Sequence, residues 1–287
     1  MTNMKDYNSI KVKEREDGIS ILTFNRPESL NAINFELTHE MIDYLNSLEN
    51  NLTIRVVILI GEGRGFSSGL DLKESQIALK PAKKIPEEYS RYEYLFAKDK
   101  IKRNIIAQKK LSEVMILLRK IPQPVIAAVN GVAYGAGLAF ALASDIRIAG
   151  ESAKFCNAFI NIGVSGADMG SSYWLPRLIG FSRAAEFMYT GRAMDAQEAD
   201  KIGLVSRVVA DNKLLEEAIG VAQQIIDKSP MGVRFTKDAL NANVDAQSLE
   251  SAIKLENRSQ VICLNTKDLL EGVFSVLEKR KPNYDEW

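Results

Sequence analysis

Histidine, cysteine and net charge are what this chain of 287 residues has least of, and each shortage closes a class of function. A single histidine, His39, leaves no ligand set for a structural zinc site, so no metal is expected. Two cysteines, Cys156 and Cys263, are too few for a disulfide framework and suit a reducing compartment. Lysine plus arginine equals aspartate plus glutamate at 37 each, so no global field draws the chain to nucleic acid or to a membrane surface. An anionic ligand therefore needs a local basic patch. The most apolar stretch, 121–149, is too interrupted for a membrane span: Asn130, Asp145 and Arg147 break it, as do Gly131, Gly135 and Gly137. Residues 1–7 are polar and mixed in charge, unlike a secretory signal or a transit peptide, and a cytoplasmic location is expected.

What is present is an ordinary globular composition, 46% apolar and 26% charged, with length for one large domain or a core with an appendage. Alternating runs at 10–15 and 18–24 predict an antiparallel pair turning at Glu16-Asp17-Gly18. An amphipathic helix is expected over 34–50, then a continuous apolar strand at 56–60. A helix over 92–119 leads to a second buried strand, Pro124-Val-Ile-Ala-Ala-Val129, and a short helix and strand follow to Ala149. Strand, helix, strand with buried parallel-type strands indicates an α/β core. Beyond 182 the pattern is nearly all helical, with segments at 183–191, 195–203, 214–228, 231–243, 247–264 and 266–279. Asp195 is placed to cap the second of these and Gly203 to end it.

Two segments share one physical signature, a buried strand that ends in a tight glycine turn. At the first, Gly69 lets the chain bend so that the amide of Leu70 points outward. At the second, Gly135-Ala136-Gly137 opens a helix whose first amides have no internal partner and whose dipole adds positive charge. Two such amides converging on one point bind a developing oxyanion. On pattern alone, close-packing turns explain the same glycines equally well.

Several stretches together resemble the crotonase (enoyl-CoA hydratase/isomerase) superfamily. They are Asn25-Arg-Pro-Glu-Ser-Leu-Asn-Ala32, Gly65-Phe-Ser-Ser-Gly-Leu-Asp71 and 124–137, then Tyr189-Thr-Gly-Arg192, Glu198-Ala-Asp-Lys-Ile-Gly-Leu-Val205 and Glu278-Lys-Arg-Lys-Pro-Asn283. They run in the family's order over nearly the whole chain. The resemblance implies an α/β crotonase-like spiral of ββα units over 1–200 and a helical trimerisation region over 201–287, in homotrimers or homohexamers. It implies an acyl-CoA substrate, no prosthetic group, and a thioester carbonyl held by the amides of Leu70 and Ala136. The backbone around Leu30, Ser68 and Leu70 would meet coenzyme A, and Lys279 and Arg280 would reach its phosphates. Without the resemblance, 279–281 reads as a solvated tail.

The chain departs from that family at the acids. Hydratases of the family carry two glutamates where this sequence has Ala139 and Phe159, and neither residue moves a proton. The nearest carboxylate is Asp168, where dienoyl-CoA isomerases of the family place a catalytic aspartate. Enclosed by Phe159, Met169 and Trp174, it would be a base with a raised pKa. A helix cap is the alternative for a residue just before Met169-Gly-Ser-Ser-Tyr-Trp-Leu. Proton shuttling through a thioester enolate is thus expected over two-acid hydration. A non-catalytic acyl-CoA binder, or a thioesterase, decarboxylase or C–C hydrolase on the same scaffold, stays open. Gly61-Glu-Gly-Arg-Gly spaces its glycines poorly for a dinucleotide fingerprint. Ser67, Ser68, Ser171 and Ser172 lack a histidine nearby in sequence for nucleophilic work, and Cys156 reads as inert. Residues 73–120 form a region longer than its counterpart in small hydratases. They read either as a lid remodelled for an unusual acyl group, lined by Tyr92, Tyr94 and Phe96, or as a surface insertion.

Overall fold

The structure is a computed structural model that describes residues 6–79, 89, 92 and 99–284. The expected hairpin is present: β1 (Ile10–Glu14) pairs antiparallel with β2 (Ile19–Phe24), and Gly18 turns the chain at a φ of 86°. A helix, α1 (Phe35–Leu48), follows, capped by the Asn34 side chain, which accepts from the Leu37 amide at 2.8 Å.

From there the chain winds in repeated turns, each adding a strand to each of two sheets. β3 (Val56–Gly61) joins the first sheet and β4 (Gly65–Ser67) the second, before helices α2 (Leu72–Leu79) and α3 (Lys100–Lys120). β5 (Val125–Val129) and β6 (Val132–Tyr134) repeat the step ahead of α4 (Ala136–Ala143). β7 (Ile146–Gly150) and β8 (Lys154–Cys156) do so ahead of α5 (Ser171–Ile179) and α6 (Phe181–Thr190). β9 (Ala193–Asp195), α7 (Ala196–Lys201) and β10 (Arg207–Val209) complete the pattern. The sheets have the orders β1-β2-β3-β5-β7-β10 and β4-β6-β8-β9. From β2 onward the larger sheet is parallel, so its strands must be covered on both faces.

The core obeys that requirement. Leu22, Phe24, Val57, Leu59, Val125, Ala127 and Val129 face a large cluster with α1, α4 and the end of α3. The alternate residues Ile19, Ile21, Val56, Ile58, Ile126, Ala128 and Ile148 face the other way. They are covered by Leu214, Ala218, Val221 and Ala222 of α8 (Leu214–Ile226). Each large side chain so buried contributes about 1.5–3 kcal/mol. The expected division at residue 200 falls just ahead of the sheet's last strand and of the helix covering its second face. α9 (Pro230–Asn243), α10 (Leu249–Cys263) and α11 (Lys267–Leu277) come last.

Differences from expectation have local causes. The strands of the second sheet have three residues each, too short to show alternation. The helix expected from Tyr92 is described from Lys100, where Asp99 caps it by accepting from the Lys102 amide at 3.0 Å. Among the described residues, no helix is long and apolar enough to cross a membrane.

The buried Lys237 ties α9 to the core: its ammonium donates to the carbonyls of Leu118 and Gln123 and pairs with Asp145 at 2.9 Å. Burial lowers its pKa, and the Asp145 carboxylate offsets that.

Backbone packs closely on backbone where α4 meets β4. A Cβ at Gly137 would lie 2.4 Å from the Ser67 carbonyl oxygen, a contact that side-chain rotation cannot relieve. Gly137→Ala is therefore expected to destabilise the chain by about 1–3 kcal/mol and to depress activity with it, measured by denaturant unfolding beside turnover.

Candidate active site

The two glycine turns lie against each other. Gly69 adopts a φ of 97°, and a Cβ there would meet the Tyr134 carbonyl oxygen at 2.8 Å and the Ala136 nitrogen at 3.6 Å. Hydrogen bonding then sets the direction of the Leu70 amide. Ile33 bridges Leu70 in parallel: its amide donates to the Gly69 carbonyl at 2.7 Å, and its carbonyl accepts from Asp71 at 3.0 Å. In such a bridge the N–H of Leu70 points away from Ile33. The Ala136 N–H is first in α4 and has no acceptor inside the helix. Among the described residues neither amide has an acceptor. Two free donors at adjoining turns, one at a helix N-terminus, form a cradle for negative charge.

Side chains of the surrounding motifs hold the turns in place. Asn31 donates to the carbonyls of Gly65 and Glu62, and Asn130 donates to those of Gly61 and Gly63. The Ser68 amide donates to the Leu30 carbonyl at 2.9 Å and its hydroxyl to the Ser29 carbonyl, which ties Leu30 to the turn that carries Ser68 and Leu70. Asp71 accepts from the amides of Lys73 and Glu74 and from the Arg26 guanidinium at 2.9 Å, while Arg26 also donates to the Ala32 carbonyl.

Ala139 lies one turn into α4 and is fully buried. Phe159 is buried too, and a Cβ at Gly135 would meet its ring at 3.7 Å. An apolar ring therefore lies against the residue that opens α4. Asp168 is half-buried. The helix after it starts at Ser171 with Gly170 as its N-cap, so Asp168 does not cap α5. Its carboxylate instead accepts from the Met169 amide at 2.7 Å and from the Gln108 side chain of α3. Burial raises its pKa above the ordinary aspartate value, against the lowering effect of those two donors. Helices α3 and α5 both pack on α4, the helix that carries Ala136; Gln108 is on α3 and Asp168 is in the loop that leads into α5.

The remaining sequence candidates divide clearly. Ser67 donates to the Asn31 carbonyl and Ser171 to those of Gly166 and Asp168, which are structural bonds. His39 lies on α1 with Nδ1 2.8 Å from the Phe35 carbonyl, and its ring is 4.6 Å from that of Tyr92. Tyr92 is buried in that packing, while Tyr94 and Phe96 lie outside the described residues. Burial pushes the Cys156 thiol up, so it stays protonated and inert. The loop after β3 enters β4 rather than a helix, which excludes a dinucleotide turn there. Lys279 and Arg280 follow α11. Arg280 is held at 2.5–2.8 Å by the carboxylates of Glu271 and Glu278. Among the described residues no cluster of histidine, cysteine or carboxylate side chains is arranged to hold a metal.

The sequence model of the enoyl-CoA hydratase/isomerase family matches residues 14–97 and 92–287. The chain belongs to this family. It is 39% identical to a probable enoyl-CoA hydratase of Mycobacterium bovis over 96% of this chain and 93% of that protein. It is 34% identical to the 1,2-epoxyphenylacetyl-CoA isomerase of Escherichia coli over 94% and 95% of the two chains. The crystal structure of an enoyl-CoA hydratase from Bacillus anthracis superposes with a TM-score of 0.84 at 34% identity, covering 96% of this chain and 99% of that one. The two-sheet winding is the crotonase fold that this enoyl-CoA hydratase/isomerase shares with those structures.

The residue that sequence reasoning missed is Gln108, since a glutamine in a polar helix carries no signal of its partner. The Asp71–Arg26 clamp of this family member makes a pH prediction. Burial raises the Asp71 carboxyl, but the Glu74 amide and the Arg26 guanidinium outweigh it and hold the pKa below the ordinary value. A lowered folded pKa means stability that is present above the unfolded value of about 3.9 and lost as pH falls through the folded value. Asp71→Asn should therefore lower the melting temperature by about 2–4 °C at pH 7, the effect of roughly 1 kcal/mol. At pH 3 the difference from wild type should shrink, as read by calorimetry.

Proposed function

We propose that the chain moves a proton on an enoyl-CoA thioester through an enolate, with Leu70 and Ala136 donating the stabilising amides and Asp168 as the base. The observation that carries this reading is the pair of free amides at adjoining turns, with Asp168 in the loop that leads into α5, a helix packed on α4. Ala139 and Phe159 stand where a two-acid hydratase needs its glutamates, and Asp168 is spared from capping.

In the proposed step the Asp168 carboxylate takes a proton from the carbon alpha or gamma to the thioester carbonyl. The C–H electron pair moves into the chain, and negative charge develops on the carbonyl oxygen. There each amide lowers the barrier by about 3 kcal/mol. The carboxylic acid then returns the proton to the other end of the allylic system, so the product has the substrate's mass. A raised pKa makes Asp168 a stronger base than a solvated aspartate and keeps its acid form within reach. Ring isomerisation of an epoxide-bearing acyl-CoA, as the name of the Escherichia coli relative describes, would need charge stabilisation at the same cradle.

Coenzyme A would run along Leu30, Ser68 and Leu70. For Lys279 and Arg280 to meet its phosphates, Arg280 would exchange Glu271 for phosphate oxygens. No prosthetic group enters this chemistry, and the cytoplasm, where acyl-CoA substrates are held, is the proposed location. The apolar residues that α10 and α11 expose, including Leu249, Val261, Phe274 and Val276, would be covered by further copies of the chain in a trimer or hexamer.

A panel of acyl-CoA thioesters followed by mass spectrometry tests the reaction. An isobaric product is expected, whereas gain of water means hydration, free coenzyme A means hydrolysis, and no change means binding alone. Asp168→Asn should lower kcat by about a hundred- to ten-thousand-fold while leaving coenzyme A affinity intact. Full activity in that variant removes Asp168 from the mechanism.

A further inference from the structure

Asp168 receives one long-range side-chain bond, and it comes from a helix sixty residues away in sequence. Gln108 lies on α3 at the point where that helix leaves the core. Toward the C-terminus Val114, Met115, Leu117 and Leu118 are buried, whereas Ile101 and Ile105, on the same face as Gln108, are exposed. The contact thus joins the N-terminal half of α3, where Arg103 is buried, to the loop 163–170. No ion pair reaches Asp168 among the described residues. The charges near Gln108 are engaged elsewhere or lack an ion pair there: Lys110 pairs with Glu113 at 2.8 Å, Arg119 pairs with Asp145, and Lys109 has no described pair.

The chemistry of the partner is the telling part. A lysine or arginine offers donors alone and would favour a permanent carboxylate. A glutamate offers acceptors alone when ionised and would favour a permanent acid. A primary amide offers both. Its N–H donates to the carboxylate, and after a half-turn of the terminal torsion its oxygen accepts from the carboxylic acid O–H. The partner is thereby satisfied before and after proton abstraction, which a group that alternates between base and acid requires.

We infer that Gln108 is the positioning residue for Asp168, orienting its carboxyl group in both protonation states and tying α3 to the base. This rests on the reading of Asp168 as the proton-transfer residue. With Gln108 replaced, Asp168 keeps the Met169 amide as donor but loses its tether to α3.

The test uses the full-length protein and Gln108→Leu, which keeps the size of the side chain and removes both hydrogen-bonding functions. The first readout is the Asp168 carboxyl titration by carbon-13 NMR, with the resonance assigned by its loss in Asp168→Asn. The second is the pH profile of kcat/KM on the best enoyl-CoA of the panel. In Gln108→Leu the carboxyl titration should move up by about one pH unit, because the buried anion has lost a donor. The acid limb of the profile should move with it. At the plateau kcat should fall by about ten- to a hundredfold with KM nearly unchanged, as expected when a catalytic group is misdirected but the binding surface is intact. Gln108→Glu keeps the shape and serves if the leucine variant does not fold; a second carboxylate should push the titration higher still.

A fall in melting temperature with neither the titration nor the limb displaced would overturn the positioning role, as would wild-type kinetics. Failure of the broader reading looks different. If Asp168→Asn is fully active, Asp168 is not the base, yet the NMR titration still reports whether Gln108 holds its carboxyl.

Discussion

The site depends on backbone lying directly against backbone. Gly69 sits on the Tyr134 carbonyl and Gly137 on the Ser67 carbonyl, at separations that leave no room for a Cβ. That contact aligns two turns from different windings of the spiral, so the Leu70 and Ala136 amides share one region. It also explains why α4 carries no polar side chain and is buried throughout, since a helix pressed between the sheets, α3 and α5 has no solvent face. The side-chain bonds from Asn31 and Asn130 then serve a single purpose, holding the loops before each turn to one another.

Around that fixed centre the proposed base is attached more loosely. Asp168 lies in a loop rather than in a sheet or helix, and its orientation comes from the Met169 amide and the Gln108 side chain. The Phe159 ring lies against Gly135 at the N-terminus of α4. A rigid charge cradle with an interchangeable set of acids lets one scaffold support several reactions of thioester enolates. In the reading proposed for this chain, Asp168 is the carboxylate that serves the cradle.

Much of the cradle was legible in the sequence because its physics is local. A buried run such as 124–129 followed by Gly135-Ala136-Gly137 dictates strand, turn and helix start within fourteen residues. The hairpin at Gly18 and the cap at Asp195 are likewise short-range, and they occur as read. The second sheet was hidden because strands such as Phe66 with its two neighbours pair through tertiary contact, below the length at which alternation shows. The cap reading of Asp168 depended on where α5 begins, and Gly170 took that position by adopting a φ of 84°. Gln108 was out of reach for the same reason: its meaning lies in a residue sixty positions away.

The central claim is that the cradle and Asp168 together generate an enolate from a bound thioester. It is tested most directly by solvent exchange on a saturated acyl-CoA, where the enolate can only be reprotonated. In deuterium oxide the account predicts enzyme-dependent incorporation of deuterium at the carbon alpha to the carbonyl, seen by mass spectrometry and abolished by Asp168→Asn. Absence of exchange across saturated acyl-CoA thioesters that the protein demonstrably binds, or exchange undiminished in Asp168→Asn, would contradict it.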